Sequence, residues 1–213
     1  GIDIHTSIAA SVAAFFVSGL VGTVTYSQRG IIKWVDFVTV SIGAIPGALF
    51  GTYVLPKIES DFLAFFIALV LIVSAVRQFV ASGTSGLTHP VRSTPKYKLS
   101  LVGLATGFLS VLSGTGGPLV LLPLLTWLST PLMTAIGLSQ VIQLPIATFA
   151  TIGNAFNSLI DWELVMVLAF GIALGSFLGA KGSERLPLAY IKTLVAFLLL
   201  ASGVYMVTIL LFG

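Results

Sequence analysis

The sequence predicts an all-α, polytopic helical membrane protein built from two homologous repeats, each of about three spans plus a broken or re-entrant helix pair. Three observations predict this class. Hydrophobic residues make up 57% of the chain and charged residues only 8%, with a mean hydropathy of +1.10, far from the roughly 25% charged residues of a soluble domain. Apolar runs long enough to cross a bilayer core, which takes about 20 helical residues, alternate with short charged segments. Finally, the chain overlays on itself without a gap at an offset of 128 residues.

Charge bounds each span. The spans read near 6–26, 35–55, 62–81, 132–156, 163–180 and 188–211, divided by the charged segments Gln28 to Lys33, Lys57 to Asp61, Arg92 to Lys98, Asp161 to Glu163 and Lys181 to Lys192. A further apolar segment, Leu99 to Leu128, is interrupted in its middle. The net charge of +3 and isoelectric point near 9.3 do not indicate nucleic acid. The basic residues are scattered between apolar spans, where they face cytoplasmic lipid and set topology. Cysteine is absent, which excludes disulfides, thiolate metal sites and thiol relays. No metal and no cofactor are expected.

In the overlay of residues 6–76 on 134–204, 13 of 71 pairs are identical, among them Thr6/Thr134, Ser11/Ser139, Thr23/Thr151, Ile32/Ile160 and Ser74/Ser202. Single matches carry little weight in so Leu-, Ala- and Gly-rich a chain. A shared Trp (Trp34/Trp162) followed at fixed distances by Gly43/Gly171, Gly47/Gly175 and Gly51/Gly179 carries much more. Two-fold repeats around a shared midplane site are a frequent construction of secondary transporters. The offset divides the chain into a first transmembrane repeat at 1–81, a polar cytoplasmic linker at 82–98 and a second repeat at 99–213. Segment 99–128 precedes the shared part of the second copy, so its counterpart belongs before Gly1. The first repeat is expected to lack this N-terminal broken helix, about thirty residues with a matching motif. The four-residue spacing of the glycines puts small residues on one helix face and permits close crossing. This reads as scaffold rather than site.

The interrupted segment carries the chemistry. Its two apolar halves are separated by Ser113, Gly114, Thr115, Gly116, Gly117 and Pro118. Three glycines in four positions remove the side chains that hold a helix and permit positive φ. A proline just inside the second half lacks only the N–H that a first helical turn leaves unbonded. One helix should therefore stop near Ser113 and another start near Pro118. Irregular backbone at membrane depth survives where it is buried in protein or lines a cavity. A helix N-terminus there presents free N–H groups and a positive dipole end, which suit an anion.

GTGGPLVLLPLL at 114–125, PLMTAIGLSQVIQLP at 131–145 and LIDWELVMVLAFGIALGSFLGAKGSERLP at 159–187 together resemble the TauE/SafE sulfite exporter family, also known as the 4-toluene sulfonate uptake permease (TSUP) family. The resemblance covers nearly the whole chain. Two departures stand out: Pro118 occupies the place of the third glycine of the family's Gly-x-Gly-Gly-Gly stretch, and Lys33 stands where the second copy has Asp161 before its Trp. The resemblance implies a multi-pass transporter of sulfur-containing oxyanions or organosulfonates.

Polar residues inside the spans extend the candidate site. Ser139, Gln140 and Gln143 lie within one helical turn, and Thr148, Thr151, Asn154 and Asn157 step along the same span. Such groups need partners in hydrocarbon, from neighbouring helices or from a bound oxyanion. The first copy offers Thr6, Ser7, Ser11, Thr23 and Tyr26 but has Val12 and Phe15 in place of the two glutamines. The candidate substrate-binding residues are thus Ser113, Gly114, Thr115, Gly116, Gly117, Pro118, Ser139, Gln140, Gln143, Thr6 and Ser11. No acidic or basic residue falls at mid-span, and an enzyme would want a His or carboxylate cluster there. Coupling is left open between the segment expected before Gly1, a proton carried by the substrate, and flow down a gradient.

If segment 99–128 dips in and returns as a re-entrant hairpin, the second repeat is inverted and nine of the ten Lys and Arg residues lie on the cytoplasmic side; if it crosses fully, six do. The inverted arrangement follows the positive-inside rule better. The expected protein is a carrier of small sulfur-containing anions in the plasma (inner) membrane of a prokaryote. The alternatives are a passive anion channel and a non-transport scaffold subunit. Its expected partners are a small anionic substrate and membrane lipid, with a homodimer through a glycine ladder and a coupling proton or ion left open, and no nucleic acid.

Overall fold

Helix starts recur at the offset seen in the sequence. The computed structural model describes residues 3–81, 94–128, 130–183 and 188–212, and every regular element among them is helical. Helices α1 (Ile4–Gln28), α2 (Trp34–Val54) and α3 (Ser60–Ala81) precede the linker, with a 3₁₀ turn, Leu55–Lys57, after α2. After it come α4 (Lys96–Ser113), α5 (Pro118–Trp127), α6 (Leu132–Val141), α7 (Gln143–Phe156), α8 (Trp162–Ser183) and α9 (Leu188–Phe212). Ile4, Trp34 and Ser60 open α1, α2 and α3; Leu132, Trp162 and Leu188, each 128 residues on, open α6, α8 and α9. Residues 82–93 of the polar linker lie outside the described residues. Among the described residues, three stretches are long and apolar enough to cross a membrane: Ile4–Gln28, Trp34–Lys57 and Met133–Phe156. Large apolar side chains such as Met166, Phe170 and Tyr205 stand exposed on the helices, the reverse of a water-facing surface.

One expected span is interrupted. The sequence reads 132–156 as continuous, but α6 stops at Val141 and α7 begins at Gln143. Pro145 explains the position: it has no N–H to offer the carbonyl of Val141, four residues earlier, and its ring crowds that carbonyl. The break is mild, since the Ile142 N–H still reaches Leu138 and the Ile146 N–H reaches Ile142.

The helix ends follow local chemistry. Asp3 caps α1, accepting from the N–H groups of His5 at 3.0 Å and Thr6 at 3.4 Å. Slight burial raises the Asp3 carboxyl, but the hydrogen bonds with His5 and Thr6 outweigh it and hold the group below its ordinary pKa. Asp161 caps α8 through the N–H groups of Glu163 and Leu164 at 3.0 and 3.1 Å. Lys33, at the matching position before α2, makes no side-chain cap. The Asp before the second Trp therefore has a local role in helix initiation that the first copy lacks. Asp161→Ala is expected to cost about 1 kcal/mol, read as a lower unfolding temperature, while Lys33→Ala leaves it unchanged.

The ends of α1 and α7 close alike. Gly30 (φ 64°) and Ser158 (φ 55°) both take the left-handed conformation. Gly30 donates to Ser27 and Ile31 to Tyr26; 128 residues on, Ser158 donates to Ala155 and Leu159 to Asn154. Left-handed backbone costs a residue with a side chain about 1 kcal/mol. Ser158→Gly should therefore stabilise the protein by about that amount, read as a higher unfolding temperature; a drop would mean that the Ser158 side chain holds the turn.

The chain forms two compact units. The first comprises 1–57 and 90–174, the second 58–89 and 175–213. In the second, α3 packs along α9, with Gly203 against Ile72 and Ala68. In the first, α1 packs against α6 and α7, α5 against α4 and α6, and α2 against α4 in the tightest seam of all. Thus α1 and α3 each lie on the helix that follows them by 128 residues. In the α2–α4 seam, a side chain at Gly43 would meet the Ser100 carbonyl, one at Gly47 the Leu104 carbonyl, one at Gly103 the Val40 carbonyl and one at Gly107 the Ala44 carbonyl. The two backbones touch. By contrast, a side chain at Gly171 or Gly175 of α8 would meet no atom within 4 Å among the described residues.

Candidate functional site

The break between α4 and α5 is held from within. Gly114 (φ 66°, ψ 16°) ends α4 in the left-handed conformation, its N–H returning to the Ser110 carbonyl, which also accepts from the Thr115 N–H at 3.2 Å. Ser113 Oγ donates to the Leu109 carbonyl at 2.8 Å and lies 2.9 Å from Thr115 Oγ1. Gly116 (φ 69°) and Gly117 (φ 123°) then turn the chain, and Pro118 opens α5. The Gly117 carbonyl accepts from Val120 and Leu121. The N–H groups of Gly116, Gly117 and Leu119 find no acceptor among the described residues. They sit at the positive end of α5, a ten-residue helix, where free donors and the dipole favour negative charge.

Three stretches of chain meet here. Gly114 approaches Ile8, and a side chain on Gly116 would strike the Phe15 ring at 2.7 Å. Ile8 and Phe15 are two turns apart on one face of α1, and Ser11 lies between them with its hydroxyl on the Ser7 carbonyl at 2.8 Å. On the other side, Gly117 faces Ile142 and Ile146, which a side chain there would meet at 3.2 and 3.4 Å. The α4–α5 break is thus set against the α6–α7 break.

The glutamines lie one turn further along α1. Gln143 packs on Gly19 and Gln140 on Gly22, so these α1 glycines make room for the amides. Gln143 is buried, with its Nε2 donating to Gln140 Oε1 at 2.9 Å and its own Oε1 unpartnered. Turning over both amides keeps the mutual hydrogen bond and leaves a donor, Gln143 Nε2, facing outward instead. Ser139 is buried with its hydroxyl on the Ala135 carbonyl at 2.7 Å. Thr6 sits in the first turn of α1 with its N–H on Asp3, and no described contact brings it to the break.

Sequence reasoning passed over several residues. Ile8, Phe15, Ile142 and Ile146 wall the break but look like any apolar residues of a span. Ser110, also passed over, and Asn154, already noted as a polar residue of its span, are fully buried, and among the described residues neither Ser110 Oγ nor either side-chain amide atom of Asn154 has a partner. Asn157, by contrast, is structural: its Nδ2 ties α7 to the Thr52 carbonyl at 2.9 Å. Among the described residues, no group of three His, Asp or Glu side chains could hold a metal ion.

Apolar helices with a broken pair packed among them define a helical membrane protein, and the family and relatives it matches make its class that of the membrane transporters. Residues 1–206 match the sulfite exporter TauE/SafE family. The chain is 25% identical over 199 residues to the probable membrane transporter protein YdhB of Bacillus subtilis, covering 91% of this chain and 81% of that protein. It is 29% identical over 194 residues to the probable membrane transporter protein y4hK of Sinorhizobium fredii, covering 86% and 75%. No solved structure matches. The chain belongs to the sulfite exporter TauE/SafE family.

Proposed function

We propose that the protein is a secondary transporter that carries small sulfur-containing anions, such as sulfite or an organosulfonate, across the plasma membrane by alternating access. The observation that carries this reading is the α4–α5 break, where the N–H groups of Gly116, Gly117 and Leu119 lack acceptors among the described residues at the start of α5. Neutral donors backed by a helix dipole bind an anion without a fixed cation, so the anion is held and also released. The family to which the chain belongs supports the sulfur-anion class. The recurrence of helix starts at 128 residues, the matching turns at Gly30 and Ser158, and the pairing of α1 with α6–α7 and of α3 with α9 support two repeats, and the Lys and Arg distribution favours their inversion. In this reading the spans cross the membrane repeatedly, and the α4–α5 pair enters and returns.

Counterflow into proteoliposomes of the full-length protein tests the proposal, with sulfite, sulfate, thiosulfate, small sulfonates and carboxylates offered in turn. Saturable exchange confined to one or more sulfur anions is the expected result. Unsaturable flux would mean a channel, and no flux of any anion would remove the transport reading.

A further inference from the structure

Hydroxyls in these helices mostly turn back on their own helix. Ser11, Thr23, Thr106, Ser113 and Ser139 each donate to the carbonyl four residues earlier at 2.7–2.8 Å, the usual refuge of a hydroxyl in an apolar helix. Ser110 does not. The residue is fully buried, its Oγ has no partner among the described residues, and that oxygen lies 4.0 Å from where a Cβ on Gly117 would stand. Its carbonyl is already engaged by the N–H groups of Gly114 and Thr115, so Ser110 is locked to the inner side of the turn with its hydroxyl toward the start of α5. Ile142 and Ile146 face the same glycine with apolar side chains, and in such apolar surroundings a charged acceptor for the hydroxyl would be a strong one.

We propose that the Ser110 hydroxyl is a further contact for the transported oxyanion, donating across the break to the ligand bound at the N-terminus of α5. The inference rests on the reading of the protein as a small-anion carrier and adds a residue from the helix that precedes the break. A hydroxyl and backbone N–H groups converging from two helices select an anion with several acceptor oxygens on one centre over a spherical halide, because each donor then meets its own oxygen.

The test compares the full-length wild type with Ser110→Ala and Thr106→Val, using sulfite and methanesulfonate as probes. Counterflow gives the half-saturation concentration and maximal rate; thermal unfolding with and without each anion gives binding independently of transport. Ser110→Ala is expected to raise the half-saturation concentration about tenfold, the loss expected of one hydrogen bond to a charged group. Its maximal rate should stay within about twofold of wild type, and most of the anion-induced thermal stabilisation should disappear. Its stability without anion should equal or exceed wild type, because an unpartnered buried hydroxyl has been removed. Thr106→Val removes a hydroxyl already satisfied by its own helix and should bind both anions as wild type does. Wild-type half-saturation in Ser110→Ala overturns the inference while leaving the carrier reading intact. A wild type that neither exchanges nor is stabilised by either probe overturns the carrier reading, and this inference with it.

Discussion

Gly47→Leu and Gly103→Leu are expected to destabilise the full-length protein by more than about 3 kcal/mol, beyond the usual 1–3 kcal/mol of an overpacked core, while Gly171→Leu shifts stability by less than about 1 kcal/mol. The asymmetry is the point of the comparison, because Gly47 and Gly171 stand at matching positions 128 residues apart. At Gly47 and Gly103 the obstacle is a backbone carbonyl of the opposite helix, Leu104 or Val40. A carbonyl within a helix cannot swing aside as a side chain does, so the two helices must part along their length. At Gly171 a side chain meets no atom of the described residues within 4 Å, and the intrinsic change is a gain in helix propensity. Unfolding temperature and the yield of monodisperse protein in detergent provide the readout. A Gly47→Leu variant as stable as wild type would show that α2 and α4 do not meet through these faces.

Gly117→Leu is expected to reduce sulfur-anion counterflow more than tenfold while leaving a folded, monodisperse protein. At φ 123° the backbone occupies a region closed to residues with a side chain, at a cost of order 1–3 kcal/mol. The variant must therefore rotate its peptide units. That rotation re-aims the Gly117 N–H and withdraws the carbonyl that receives Val120 and Leu121, unravelling the first turn of α5. The added side chain also presses on Ile142 and Ile146. Both effects fall on the break and leave the α2–α4 seam untouched, so transport suffers before folding. Gly117→Ala applies the backbone constraint with less bulk. If Ala transports as wild type and Leu does not, packing against the isoleucines rather than the direction of the N–H groups is what matters.

Much of the helical architecture was legible in the sequence because it depends on rules that act over a few residues. Gly114, Gly116, Gly117 and Pro118 spell a stop and a restart, and charged segments mark where spans end. The limits of the reading are equally physical. Pro145 shows how the expected span, which stands as one stretch at Met133–Phe156, is still mildly interrupted where one carbonyl loses its donor. The glycine ladder of α2 was visible, but its partner was not, since Gly103 and Gly107 of α4 become meaningful only when the two helices are seen side by side. The same ladder in α8 looks identical in sequence yet meets no neighbour at Gly171 and Gly175 among the described residues. At the candidate site, the glutamines stood out as amides in an apolar span. Ser110 did not, because a serine in an apolar helix ordinarily bonds to its own backbone, and only the fold shows that this one does not.

The α2–α4 seam also bears on how stability depends on temperature. Apart from the stacked Phe50 and Phe108 rings and Val111, its closest contacts are between glycine and alanine faces and opposing carbonyls, with few rotamers to freeze. In lipid, joining the two helices removes little apolar surface from water. Most of the heat capacity of unfolding in soluble proteins comes from such surface. Separation of α2 from α4 within a bilayer should therefore carry a heat capacity change near zero, so the seam neither loosens in the cold nor passes through an optimum on warming.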